Sequence, residues 1–152
     1  NDVCGKLEEN FSSIIKTRDI CGLYILDDGI DRELDDRWKD ILAKMDFVIV
    51  QGYAMTELAK SANIVLPGLA PFEREGTITN DKGRIQWLRP SLTAKGDSKS
   101  DWEILMLVGN ALDKESEHFA GLGEVIKKMS EQFSSYSEVS LFKIGTQGKA
   151  LT

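Results

Sequence analysis

The chain has 152 residues, with 19 Lys and Arg against 25 Asp and Glu, a formal net charge of −6, 41% hydrophobic residues, two Cys and one His. That length fits one domain, or part of one, with a true core, and the ordinary apolar content excludes disorder of the whole chain. The acidic balance removes the electrostatic footprint that binding a phosphate backbone requires, so no nucleic-acid partner is expected.

No apolar run is long enough to span a bilayer, and the opening NDVCGKLEEN lacks a signal-peptide pattern, so no direct membrane insertion is expected. The missing initiator Met reads as a trimmed or excerpted chain. Cys4 and Cys21 have neither a CxxC spacing nor a nearby His, which leaves no zinc or iron–sulfur ligand set. They read as two free thiols in a reducing compartment. His118 would have to serve any Ser-His-Asp or Cys-His chemistry, and its polar neighbours read as a solvent-facing loop. No catalytic residue, no metal site and no cofactor are assigned to this chain.

The predicted elements alternate. Leu7, Phe11, Ile14 and Ile15 fall at helical spacing, which predicts an amphipathic helix over 6–17. GLYIL (22–26) reads as a buried strand stopped by Asp27-Asp28-Gly29. Leu34, Trp38, Ile41, Leu42 and Met45 predict a helix over 32–45. FVIVQ (47–51) is a second strand, followed by a short helix from Thr56 to Ala62, and NIVLP (63–67) is a third strand ended by a proline. Short apolar strands between helices predict β-α-β units and a parallel sheet. After Gly68 the pattern changes. TITN and GRIQWLR flank Asn80-Asp81-Lys82-Gly83 and predict a hairpin with glycine at the turn. Asp101 is the expected cap of a helix over 102–112, with Trp102, Leu105, Val108 and Leu112 on one face. A last helix carries Leu122, Val125, Ile126, Met129 and Phe133, and VSLFKI (139–144) reads as a weaker strand.

The fold class expected is α/β: a partial Rossmann-like parallel sheet with flanking helices, plus a β-hairpin and C-terminal helices. Three parallel strands are few for a doubly wound sheet, so the chain reads as half of a larger α/β domain. At least one strand edge then lacks a neighbour. Either self-association through that edge, or addition of residues 139–144 to the sheet, is expected.

Several motifs bear on chemistry. The acidic cluster Asp27, Asp28, Asp31, Glu33, Asp35 and Asp36 lacks the register of a calcium loop, and carboxylates at a helix start favour the dipole instead. The C-terminal GTQGKALT lacks the spacing of a phosphate-binding Walker loop. Arg74, Lys82, Arg84, Arg89, Lys95 and Lys99 cluster around the hairpin, where they suit either a pyrophosphate or acidic partner, or a solvated face offset by Glu73, Glu75, Asp81 and Asp97. Topology is the strongest guide. Ligands of open α/β sheets sit beyond the carboxyl ends of parallel strands, which puts Asp27-Asp28-Gly29, Gln51-Gly52-Tyr53 and Pro67-Gly68 on one rim.

From Asp46 to Leu105 the order is FVIVQ, the TELA helix, ANIVLPG, FEREGTITNDKGRIQWLR and SDWEIL. It resembles the molybdopterin oxidoreductase superfamily, with its A-D-V-V-L-P, E-x-x-G-T-[FY]-T-N-x-x-G-R-x-Q and later D-W pattern. Ala62 to Pro67, Glu73, Gly76, Thr77, Thr79, Asn80, Gly83, Arg84, Gln86, Asp101 and Trp102 carry the resemblance, which covers about residues 10–112. It implies that residues 1–112 are half of a molybdopterin-oxidoreductase-like α/β domain. Residues 113–152 then belong to the same domain or start the next. PGLAPFEREGTITN looks most like the large iron–sulfur subunit of NADH-quinone oxidoreductase, with formate dehydrogenase large subunits next.

The resemblance implies a cofactor-binding rim at Asp28, Gln51, Gly52, Thr79 and Asn80. It also shows departures. Family members with a molybdopterin guanine dinucleotide often carry G-x-N-P where this chain has Asp27-Asp28-Gly29-Ile30, and Gln-Asp where it has Gln51-Gly52. Asn63 stands for the usual Asp, and Ile78 for the usual aromatic.

Three functions follow as expectations. The first is a scaffold piece of that large iron–sulfur subunit, in a parent that carries iron–sulfur clusters and passes electrons from NADH to quinone. Its partners would be the rest of the subunit and neighbouring respiratory-complex subunits, on the cytoplasmic side and peripheral to the inner membrane. The second is the part of a molybdenum enzyme, such as formate dehydrogenase, that binds its molybdopterin guanine dinucleotide. The third is a stand-alone binding module without redox chemistry.

Overall fold

A computed structural model describes residues 20–30, 33–112 and 117–151. The predicted helix over 6–17, Cys4 and Asp31 lie outside the described residues. The chain divides into two compact units, Asn1–Pro67 and Gly68–Thr152.

The first unit is built on β1 (Gly22–Leu26), α1 (Asp36–Leu42), β2 (Phe47–Gly52), α2 (Glu57–Lys60) and β3 (Ile64–Pro67). The strands pair in parallel in the order β1-β2-β3, with Leu26 beside Gln51 and Gly52 beside Pro67. The apolar, β-branched run of β2 suits this central place, since a strand hydrogen-bonded on both sides has few polar positions to spend. Val48 and Val50 are buried with Ala59 of α2, and Ile25, Leu42, Met45, Leu58, Ala62 and Val65 pack around them. Two polar devices set the register. The Cys21 carbonyl accepts from the amides of Asp46 and Phe47, at 2.7 and 3.1 Å, which ties the entry of β2 to the start of β1. Asn63 accepts from Val48 N at 2.7 Å through its side chain and donates its own amide to the Val48 carbonyl at 2.9 Å. Only a side-chain oxygen is needed there, so Asn serves as well as Asp.

Helix α1 is shorter than the periodicity predicts. Asp35 accepts from Trp38 N at 2.8 Å and starts the helix at Asp36, and the last turn closes on Ala43. Local capping chose the boundary over the apolar repeat, which runs on through Met45.

The second unit holds β4 (Gly76–Thr79), β5 (Arg84–Leu88), α3 (Asp101–Leu112), α4 (Leu122–Gln132), a 3-10 turn (Ser134–Tyr136), α5 (Leu141–Ile144) and β6 (Lys149–Ala150). β4 and β5 form the predicted hairpin. Asn80 accepts through its side chain from Lys82 N and Arg84 N at 3.0 and 2.9 Å, and Gly83 has φ +69°. The core is Ile85, Ile126, Val139 and Ile144, with Trp87, Leu122, Met129, Tyr136, Leu141 and Leu151 against it.

Three expectations are corrected here. Residues 139–144 are not a strand and do not join a sheet. Ser140 accepts from Lys143 N and caps a single helical turn that puts Leu141 and Ile144, three apart, on the core side and leaves Phe142 exposed. The adjacent Leu141-Phe142 pair breaks the alternation a strand needs. It is Lys149 and Ala150, in a segment for which the sequence predicts no element, that extend a sheet, pairing antiparallel with Ile85 and Arg84. Finally, Asp101 is the first residue of α3 rather than its cap, because Glu103 accepts from Ser100 N at 3.0 Å and from the Ser100 hydroxyl in a capping-box arrangement. Asp101 instead meets Arg74 at 3.4 Å. On α3, Ile104 is buried, while Leu105 and Leu112 are exposed, because apolar residues from 104 to 108 surround the helix and leave its core stripe ambiguous. Among the described residues no helix is long and apolar enough to cross a membrane.

The two turn glycines allow a graded test. Gly83 has open space where a Cβ would go, so Gly83→Ala should cost only the left-handed backbone strain, about 1 kcal/mol. Gly148 has φ +75°, and a Cβ there would lie 2.5 Å from the Ile85 carbonyl oxygen, so Gly148→Ala should cost at least about 2 kcal/mol. Urea midpoints that fall in the reverse order would contradict this account of β6.

A pH dependence follows from the same strand. Lys149 Nζ reaches Glu138 Oε2 at 2.6 Å, and this hydrogen bond and charge, with Lys143 adding, hold the Glu138 carboxyl below its ordinary value. A carboxyl depressed in the folded state stabilises when ionised in both states, and loses that contribution as pH falls through its folded value. The tie on β6 should therefore weaken on acidification below the ordinary carboxylate range. Glu138→Gln should flatten the acid limb of the stability profile, and superimposable profiles for variant and parent would count against it.

Candidate functional site

The carboxyl ends of β1 and β2 meet because the parallel register places them side by side. Asp27 N continues the ladder to the Gln51 carbonyl at 2.8 Å. The turn after β1 then folds onto its own side chains. Asp27 Oδ1 accepts from Gly29 N at 3.1 Å, and Asp28 Oδ1 accepts from Ile30 N at 3.0 Å. Asp28, expected on the rim, is exposed there.

The other oxygen of Asp27 accepts from the Thr56 hydroxyl, and Thr56 Oγ1 in turn accepts from Ala59 N at 3.1 Å as the cap of α2. Thr56 is 2% exposed, so this link is a buried connection between a strand end and a helix start. Gly52 passes close to Asp27, whose Cβ lies 3.2 Å from where a Gly52 Cβ would stand. The close pass suits a glycine at the end of β2. Gly29 has φ +73°, and a Cβ there would overlap the Tyr53 ring. Gln51, also expected on the rim, is 1% exposed and accepts from the Tyr24 hydroxyl.

Beside this turn lies a cleft of about 450 Å³, lined by Asp27, Ile30, Glu33, Leu34, Asp35, Trp38, Thr56 and Leu58. Among the described residues, three carboxylates and no Lys or Arg line it. Tyr53 was placed on the rim and Glu33 in the acidic cluster from the sequence, whereas Thr56 and Trp38 were not singled out as site residues. A signal existed for Thr56 alone, as a Thr followed by Glu at the start of a short apolar repeat.

Thr79 and Asn80 belong to the second unit. The Thr79 hydroxyl lies 3.3 Å from that of Tyr136, and Asn80 shapes the hairpin turn. The basic cluster is partly engaged in its own unit: Arg74 with Asp101 and the Leu69 carbonyl, Arg84 with the Gln147 and Gly148 carbonyls, and Arg89 over the Trp87 ring at 4.3 Å. His118 is exposed outside any helix or strand, as its neighbours predict.

The first unit is thus an α/β unit with a three-stranded parallel sheet and glycine-containing turns at the ends of its strands. The profile of the molybdopterin oxidoreductase family matches residues 4–111, and the chain belongs to that family. Over 108 residues it is 32% identical to the F420-dependent formate dehydrogenase 2 subunit alpha of Methanococcus maripaludis, covering 70% of this chain and 16% of that protein. Over 142 residues it is 32% identical to a putative formate dehydrogenase of Staphylococcus haemolyticus, covering 92% of this chain and 14% of that protein. A putative formate dehydrogenase of Bacillus subtilis is 41% identical over 73 residues, 48% of this chain and 7% of its own length. The chain thus spans a sixth or less of the length of these curated relatives. They agree with the formate dehydrogenase expectation rather than with the NADH-quinone oxidoreductase expectation that the resemblance placed first.

The family implies a molybdopterin cofactor, whose dinucleotide form carries a diphosphate. The β1 turn does not fit that group. Its amide donors at Gly29 and Ile30 already serve carboxylates, and the adjoining cleft is acidic.

The Thr56 link gives a direct test of how the rim is held. Thr56→Ala removes a helix cap and a donor to Asp27, and should destabilise the protein by about 1–2 kcal/mol, with Thr56→Ser recovering most of the loss. Equal denaturation midpoints for Thr56→Ala and the parent would show that the link carries no weight.

Proposed function

We propose that this chain is part of a larger oxidoreductase of the formate dehydrogenase type, within which it supplies α/β framework and no catalytic residue of its own. The observation that carries this reading is similarity to a putative formate dehydrogenase along 92% of the chain. Formate oxidation yields carbon dioxide, a proton and two electrons, and the parent would pass those electrons to an acceptor. In this reading the molybdopterin is held by residues other than the β1 turn, and the partner of this chain is the rest of its own subunit.

A second reading is the scaffold segment of the large iron–sulfur subunit of an NADH-quinone oxidoreductase, with neighbouring respiratory subunits as partners at the inner membrane. The acidic β1 turn favours it, since a scaffold has no diphosphate to seat.

One experiment separates the two. The full-length protein is purified, its molybdenum and tungsten are measured, and formate-dependent reduction of a viologen dye is assayed. The first reading expects stoichiometric molybdenum or tungsten and dye reduction that requires formate. Iron–sulfur clusters without either metal, and no response to formate, would overturn it.

A further inference from the structure

We infer that the β1 turn is closed to diphosphates because the chain supplies its own anions at the place where a ligand's would sit. This holds for either reading of the parent's reaction. A glycine at φ +73° followed by successive free amides, at the carboxyl end of a parallel strand, is the arrangement that seats a phosphate in open α/β sheets. Here neither amide is free. Gly29 N donates to Asp27 at 3.1 Å and Ile30 N donates to Asp28 at 3.0 Å.

Asp27 is held from both sides. Its second oxygen takes the Thr56 hydroxyl, so moving the carboxylate aside would strand a polar group that is 2% exposed. Among the described residues, Glu33 and Asp35 line the adjoining cleft with no Lys or Arg beside them. A phosphate entering the turn would lose both amide donors to their present acceptors and would sit beside like charge. Each such charge pair at about 4 Å weakens binding about fivefold even in bulk water. The neighbouring rim residue gives no relief, because Gln51 is buried against Tyr24. The turn therefore fastens β1 to α2, and the diphosphate of any family cofactor must be bound elsewhere in the parent.

The test uses the full-length protein and labelled inorganic pyrophosphate in equilibrium dialysis, comparing the wild type with Asp28→Asn and with Asp27→Asn/Asp28→Asn. The asparagines keep an acceptor for the turn amides and remove the carboxylate charge. Affinity should rise about fivefold for the single variant and about 25-fold for the double variant. Asp28 is exposed, so the single variant keeps the test valid where the double variant loses its circular-dichroism melting transition. Equal pyrophosphate affinity in the wild type and in the folded variants would overturn the inference, and so would wild-type binding that is lost on Gly29→Ala.

Discussion

Parallel pairing of β2 between β1 and β3 is the constraint on which the first unit depends. Its ladder partners bring Leu26 beside Gln51 and Gly52 beside Pro67, so three strands end at one level and hand the chain to three turns. The same pairing buries Val48 and Val50 and gives α2 a surface for Ala59. A one-residue slip would exchange the buried and outward side chains of β2 and separate Asp27 from Thr56. Register is accordingly fastened by polar groups at the far end, through Cys21 and Asn63, where the apolar pattern alone would tolerate sliding.

Charge at the rim is handled locally. Two adjacent aspartates at the end of a strand would be costly if left to repel each other, and each instead accepts an amide two residues ahead. Asp27 also shares the Thr56 hydroxyl, so the cap of α2 and the turn of β1 form one polar unit. Family membership and local chemistry thus pull in different directions. The chain belongs to the molybdopterin oxidoreductase family, while this turn spends its donors on its own side chains.

The second unit solves another problem. A two-stranded hairpin has too little surface to be stable alone, and here β5 gains a third strand from residues 149–150 and a cover from α4 and α5. Ile85, fully buried, is where these meet. Gly148 permits the approach, because its backbone passes where a side chain would strike the Ile85 carbonyl.

Local pattern was enough for much of this. The short apolar runs at 22–26, 47–51 and 63–67 specified three strands, since each is too short and too apolar for a surface helix and each is bounded by turn residues. Asn80 to Gly83 specified the hairpin through a backbone conformation that glycine adopts without strain. The spaced matches around EREGTITN and SDWEIL pointed to the family, though not to the branch its relatives support. What depended on distant partners was not legible. Residues 139–144 have a strand-like composition, and only the core around Ile85 and Ile126 made the Ser140-capped turn the better burial of Leu141 and Ile144. Lys149 and Ala150 carry no strand signal at all, and pair only because β5 presents an open edge. At the rim, Asp27 and Asp28 could be read from the sequence as carboxylates at a strand end, but not their use of the Gly29 and Ile30 amides or the Thr56 hydroxyl. The two amide contacts are local, whereas the Thr56 contact exists because tertiary pairing brings a strand end and a helix start together across nearly thirty residues of chain.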